Sequence, residues 1–345
     1  QDAVYRDAGE PDTKLTHFYV SNAYVLELAG RHERILAGCS INPLRRDALE
    51  ELERCAAAGS RLIKVHTAIQ GVDPSLPAFE PFYRLAAELD VILMFHTGYE
   101  HSCRVISQQF TDPRRLVRPL DHGLRVIAAH CGTCTSFDRE DYYPGFVEMM
   151  HRYPNLFGDT SILATWPRWR ALGRLAGESE SLRSRLLHGS DYPFPPARGP
   201  YIRRAGFRPG LTRNPLDIDL AIKQSFEFGP DYATQGLAWF EPQLADELSG
   251  RQPSPAVAKE SNNDRNVASA GTGRTPIIAT PVLNSVRVRR SLRSRSACFR
   301  ANKALHEQMP RPARCHTTLP RPAATPRPAR CHAAPHASQI VYASL

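Results

Sequence analysis

Short apolar runs recur along this chain, and helical stripes fall between them. The runs are "RILAGCSI" (34–41), "RLIKVH" (61–66), "VILMFH" (91–96), "RVIAAH" (125–130), "LFGDTS" (156–161) and "LLHGSD" (186–191). Each reads as a strand, and their near-continuous apolarity suits a parallel sheet with a covered face. The intervening segments 45–59, 80–90, 112–123, 140–154 and 167–177 read as helices. In the first of these, Leu49, Leu52, Cys55 and Ala56 form one stripe, and Gly59 stops the helix. A further helix is predicted over 21–32, with Ser21 or Asn22 as N-cap. Helices are also predicted near 217–228 and 230–240. Residues 1–20 are polar and turn-rich and read as a lead-in loop.

Successive strand ends fall at His66, His96, His130, Asp159 and Asp191, in steps of 30, 34, 29 and 32 residues. A strand–helix–strand repeat needs about thirty residues. The rhythm fits a (β/α) barrel or a doubly wound sheet. No Gly-rich nucleotide fingerprint follows any strand, which argues against a dinucleotide fold. The body is expected to span 21–245.

Composition divides the chain. The net charge is +9, but residues 251–345 hold 16 Lys/Arg against 3 Asp/Glu, and the remainder is mildly acidic. Residues 246–345 are rich in Pro, Arg, Ser, Thr and Ala, and "PRPARCH" occurs twice, at 310–316 and 326–332. Such a segment buries too little surface to offset chain entropy and is predicted to be disordered. No apolar run is long enough to span a bilayer, and no secretory signal is legible. The eight cysteines form no small secreted framework. They read as reduced, and a cytoplasmic location is expected.

The candidate chemistry sits at strand ends. His96, His130 and Asp191 each close a predicted parallel strand, and in a (β/α) barrel those ends converge on one face. Two imidazoles and a carboxylate suit a divalent metal ion, zinc first and manganese second. Such an ion activates water for nucleophilic attack.

"FHTG" (95–98), "IAAHCGT" (127–133), "LLHGSDYPFP" (186–195) and "NPLDIDLAIK" (214–223) resemble segments of the amidohydrolase-related metal-dependent hydrolases of the second amidohydrolase family. The resemblance covers roughly residues 20–243. It implies a TIM-type barrel and assigns the first three segments to strands five, six and eight. It makes His96 a metal ligand and His130 a ligand or water-orienting histidine. Asp191 becomes a ligand and the general base. Lys64 falls on strand four, where some relatives bind a second metal through a carboxylated lysine. The family also opens on an H-x-H pair at the end of strand one. No H-x-H occurs in this sequence, and six strands are legible rather than eight. An incomplete barrel with an impaired site is therefore expected, with exposed sheet edges that invite homo-oligomers.

The remaining residues divide by position. His66 shares the strand face of Lys64 and is expected to line the pocket. Tyr99 and His101, in the loop after the third apolar run, are candidates for touching substrate. His188 has the opposite parity from Asp191 and should point toward the helices. "CGTC" (131–134) is a C-x-x-C without a second pair, so a redox or zinc-ribbon reading finds little support. His17, His32, His122 and His151 read as surface residues. The expected function is metal-dependent hydrolysis of a C–N or C–O bond in a small molecule, with non-oxidative decarboxylation as the alternative. A reading of another class makes the body a degenerate barrel and the tail a polyanion binder, through basic clusters such as "RVRRSLRSRS" (287–296). The tail offers only two aromatics, Phe299 and Tyr342, and no recognised nucleic-acid module, so nucleic acid is not the expected partner.

Overall fold

A computed structural model describes residues 1–5, 9–32, 35–205 and 213–240. Helix α1 (Asn22–Arg31) begins where the Ser21 hydroxyl accepts from Tyr24 N–H at 3.3 Å, the cap the sequence predicts. Then come β1 (Gly38–Ser40), α2 (Ala48–Ala57), β2 (Leu62–Val65), the short α3 (Thr67–Gln70), α4 (Glu80–Glu88) and β3 (Ile92–His96). Next are α5 (Val117–Asp121), β4 (Val126–Ala129), α6 (Tyr143–Arg152), β5 (Leu156–Asp159), α7 (Ala171–Ala176) and α8 (Glu180–Arg183). The last are β6 (Leu186–Leu187), α9 (Ile202–Ala205) and α10 (Pro215–Gln224). The Asn214 side chain caps α10 by accepting from Leu216 N–H at 3.0 Å.

Three expectations are corrected locally. The helix over 112–123 is a 3-10 turn, Pro113–Leu116, followed by the short α5. Pro113 and Pro119 each withhold an N–H donor from a continuous helix. The helix near 230–240 is turns ending in a 3-10 turn at Leu237–Trp239, in a segment broken by Gly229, Pro230 and Gly236. The last strand pairs only through Leu186 and Leu187, so residues 188–191 leave the ladder. The expected boundary at 245, the disordered tail and its basic clusters lie outside the described residues.

The six strands form one sheet in chain order, and every neighbouring pair is parallel. This is the arrangement of consecutive (β/α) barrel units, left open among the described residues because β1 does not pair with β6. Period two divides the sheet into two faces. Cys39, Ile63, Val65, Leu93, Phe95, Val126, Ala128, Leu156 and Leu186 enter the main core beneath the helices. That core takes Leu52 and Cys55 from α2, Phe82 and Tyr83 from α4, and Phe146, Met149 and Met150 from α6. The other face carries a smaller cluster, Leu62, Ile92, Ile127 and Leu187, joined by Met94 and Phe157. Trp239 lies edge-on to Phe157, with ring centroids 4.6 Å apart, and covers that inner face. Both faces are thus apolar, which is why the strands read as continuous apolar runs.

The free side of β1 is closed by a side chain. Buried Asn22 accepts from Ser40 N–H at 2.9 Å and donates to Ser40 C=O at 3.0 Å, as a neighbouring strand would. Its amide also donates to Glu51 at 2.6 Å, tying α1 to α2.

Candidate active site

The inner face ends in polar residues. Continuing the inward positions of β2 and β3 leads from Leu62 and Lys64 to His66, and from Ile92 and Met94 to His96. On β4 the inward positions are Ile127 and Ala129, so simple alternation would turn His130 outward. It does not turn outward, because His130, Cys131 and Gly132 have φ values of 67°, 54° and 63°. This left-handed turn swings His130 to the inner side and drops the Cys131 side chain into the outer core. Left-handed backbone at a non-glycine residue costs roughly 1–3 kcal/mol and persists where surrounding contacts fix it. Here Asp159, at the end of β5, accepts from His130 N–H at 2.9 Å, from Ser161 N–H at 3.1 Å and from the Ser161 hydroxyl at 2.6 Å.

The same network sets the imidazole. His130 Nδ1 lies 2.8 Å from Ser161 Oγ and 3.1 Å from the Ser161 carbonyl. The hydroxyl proton is committed to Asp159 and a carbonyl only accepts, so Nδ1 carries the proton. The lone pair is left on Nε2.

The side chains meet in a cavity of about 720 Å³ at the C-terminal ends of the strands, lined among others by Lys64, His66, His96, His130 and Asp191. His66 and His96 stack with ring centroids 3.9 Å apart, and His96 and His130 meet edge-on at 4.8 Å. Glu100, four residues beyond His96, returns its carboxylate between the first two rings. Its Oε2 is 3.1 Å from His66 Nε2 and 3.6 Å from His96 Nε2. The loop can bend back because Gly98 has φ +81°, where a Cβ would stand 2.2 Å from the Thr133 carbonyl oxygen. Burial pushes the pKa values of His66, His96 and His130 down, so all three are neutral at pH 7. Burial pushes Glu100 up, but hydrogen bonds from His66 and Ser102 outweigh it and hold the carboxyl below the usual range. Asp191, half-buried with φ +56°, lines the same cavity from beyond β6.

His96, His130 and Asp191 all line one cavity, His96 from the end of β3, His130 through its left-handed turn and Asp191 from beyond the ladder of β6. Lys64 lies on its wall, two residues ahead of His66. His66, expected only to line the pocket, also stands in a group with His96 and Glu100 whose ligand atoms all lie within 4.8 Å of one another. Tyr99 and His101 both line the cavity; His101 bonds Asp138 at 2.6 Å and stacks on Tyr99. His188 points away to Asp219 at 3.2 Å, as its parity predicts. Of the histidines read as surface residues, His17, His32 and His151 are exposed, whereas His122 is half-buried and paired with Glu80. Cys131 donates to the Asp159 carbonyl, and its deeply buried thiol is pushed up in pKa, against a redox role. Glu100, Ser161 and Arg168 were not singled out from sequence. Glu100 had a faint signal in its place just after a strand-end histidine.

An amidohydrolase family model matches residues 6–216, more than half of the chain. The chain belongs to the amidohydrolase family. Among solved structures it is similar to an uncharacterized TIM-barrel protein, Bb4693, from Bordetella bronchiseptica. Identity there is 17%, over 64% of this chain and 74% of that one, with a TM-score of 0.45. It is similar to 5-carboxyvanillate decarboxylase LigW from Sphingomonas paucimobilis at 13% identity, over 59% and 69% of the two chains, with a TM-score of 0.37. It is also similar to IDCase of Metarhizium anisopliae at 16% identity, over 59% and 61%, with a TM-score of 0.37. No curated protein matches it. For this amidohydrolase, family membership implies an enzyme acting on a small molecule, and family members generally use a divalent metal. No helix among the described residues is long and apolar enough to cross a membrane.

Proposed function

We propose that this amidohydrolase is a metal-dependent hydrolase whose water-activating centre lies between His66, His96, Glu100, His130 and Asp191. The observation that carries the reading is the group His66–His96–Glu100, with His96 Nε2 buried and lacking a hydrogen-bond partner. Two ligands of one tetrahedral zinc stand about 3.3 Å apart, given metal–ligand distances of about 2.0–2.1 Å. The observed separations of 3.1 and 3.6 Å straddle that value. Neutral imidazoles and an ionised carboxylate are the protonation states that metal binding needs.

The donor set thus fits a divalent ion, zinc before manganese. His66, His96 and Glu100 would hold it, with His130 Nε2 and Asp191 at the side. Such an ion supplies Lewis-acid polarisation of a water or of a substrate oxygen. Asp191, the most solvent-accessible carboxylate of the set, takes the proton from the attacking water. His130, locked by Ser161 with its lone pair on Nε2, orients that water. Lys64 on the cavity wall serves the same centre through its charge, and Tyr99 and His101 contact substrate at the mouth. Non-oxidative decarboxylation is the second reading, because Arg168, a buried cation on the wall of the same cavity, suits a carboxylate substrate. Released carbon dioxide distinguishes it from hydrolysis. The five described cysteines are all free, which accords with a reducing, cytoplasmic compartment.

Elemental analysis of the full chain after dialysis tests the centre. The expected result is about one zinc or manganese per chain, lost on His96→Asn and Glu100→Gln. Absence of metal above background in the unaltered chain, or full retention in both variants, overturns the assignment.

A further inference from the structure

The cavity holds a buried cation with no carboxylate against it. Arg168, in the segment between β5 and α7, is 5% exposed and lines the cavity. Nη1 donates to the Thr133 carbonyl and to Thr133 Oγ1, and Nη2 donates to the Tyr99 carbonyl. All three acceptors are uncharged. Among the described residues no carboxylate forms a salt bridge with it; Asp138, Glu100 and Asp191 act on it only at longer range. The contrast within the same fold is Lys223, equally buried, which bonds Asp219 directly at 2.7 Å. An unpaired buried charge is strongly destabilising, and such groups persist where a ligand completes them.

We infer that Arg168 is the substrate's carboxylate anchor, and that the substrate is an organic carboxylate with an apolar body. The three contacts use three of the five guanidinium N–H groups. That leaves Nε–H and one N–H of Nη2, the two donors that a carboxylate engages as a fork. The neighbouring Glu100 and Asp191 disfavour a dianion, so a single carboxylate fits better than a phosphate. The apolar body follows from the rim, where Phe18, Trp166, Tyr192 and Phe194 are exposed and line the same cavity. Exposed aromatic side chains around a concave site form a surface for a flat apolar group.

This inference rests on the proposed function only in taking the cavity as the substrate site, and its test separates the two. The full chain is dialysed against EDTA, so that no metal supplies an anion site, and titrated calorimetrically with benzoate, benzamide and inorganic phosphate. Benzoate is expected to bind at least about 10-fold more tightly than benzamide or phosphate, the ratio that one charge-assisted fork provides. R168Q is expected to erase the preference and leave benzamide affinity unchanged. Arg168 also ties two loops, so R168K serves where R168Q fails to fold. It keeps the charge but not the fork, and the preference should shrink several-fold. Equal binding of benzoate and benzamide, no benzoate binding, tighter phosphate binding, or a preference that survives substitution overturns the anchor. A chain that retains metal but shows no preference overturns the anchor alone. The converse result overturns the metal centre alone.

Discussion

His130 reaches the cavity only through backbone that an ordinary strand does not adopt. Its φ of +67° and the three bonds accepted by Asp159 replace the alternation that would have turned it toward the helices. Ser161 is the hinge of this arrangement, because its hydroxyl and carbonyl both face Nδ1. Partners of this kind fix the tautomer of a metal-facing histidine, and their loss typically costs 10–100-fold in metal affinity. Ser161→Ala removes the hydroxyl and keeps the carbonyl at 3.1 Å, so the lower end, about 10-fold, is expected. Competition with a chelating dye measures it, and an unchanged affinity would place His130 outside the metal's reach. The strand-end residues His96, His130 and Asp191 were legible in the sequence because apolar runs point at them. Glu100 and Ser161 were not, because a loop that folds back four residues later leaves no periodic trace. Arg168 looked like any other arginine at the start of a helix.

The (β/α) rhythm was legible because each strand buries both faces and each helix carries one apolar stripe. Element lengths were not. β1 narrows to Gly38–Ser40 and β6 to two residues, since pairing depends on neighbours that no local pattern reports. The same blindness hid the role of Asn22, which read as a helix cap and acts as a surrogate strand for Ser40. Asn22→Ala would leave the Ser40 N–H and C=O without these partners in a buried position. Each unsatisfied group costs about 1–3 kcal/mol, so for the two a loss of roughly 2–6 kcal/mol is expected in chemical denaturation. A loss below about 0.5 kcal/mol would show that water or neighbouring chain replaces the amide. Gly98→Ala acts on another element, the loop that carries Glu100. A Cβ 2.2 Å from the Thr133 carbonyl oxygen, at φ +81°, cannot be relieved by a side-chain rotation. Displacement of that loop should reduce bound metal as well as stability, whereas a variant destabilised with its metal content intact would separate Glu100 from the centre.

At the scale of the whole molecule, the buried imidazoles give stability a definite pH dependence. His66, His96, His130 and His188 all have pKa values pushed down by burial; the first three are buried and His188 is half-buried. In the unfolded chain each takes up a proton near pH 6.5. In the folded chain each stays neutral until the pH falls further. Between those points the unfolded state binds more protons, so stability rises with pH and is lost as pH falls below about 6.5. Glu100 adds a second decline of the same sign, because its carboxyl is held below the ordinary value and folding loses that contribution as pH falls from about 4.5. In EDTA-treated protein the melting temperature should therefore fall steadily from pH 7 to pH 5, by about 2–4 °C for each kcal/mol lost in a domain of this size. Bound metal competes with protons for the same nitrogens, so the loaded protein should hold its melting temperature to lower pH. Differential scanning calorimetry at pH 7, 6 and 5, with and without EDTA, reads both effects. A flat metal-free profile over that range would mean that the imidazoles are solvated, and a loaded profile that coincides with the metal-free one would mean that the metal binds elsewhere.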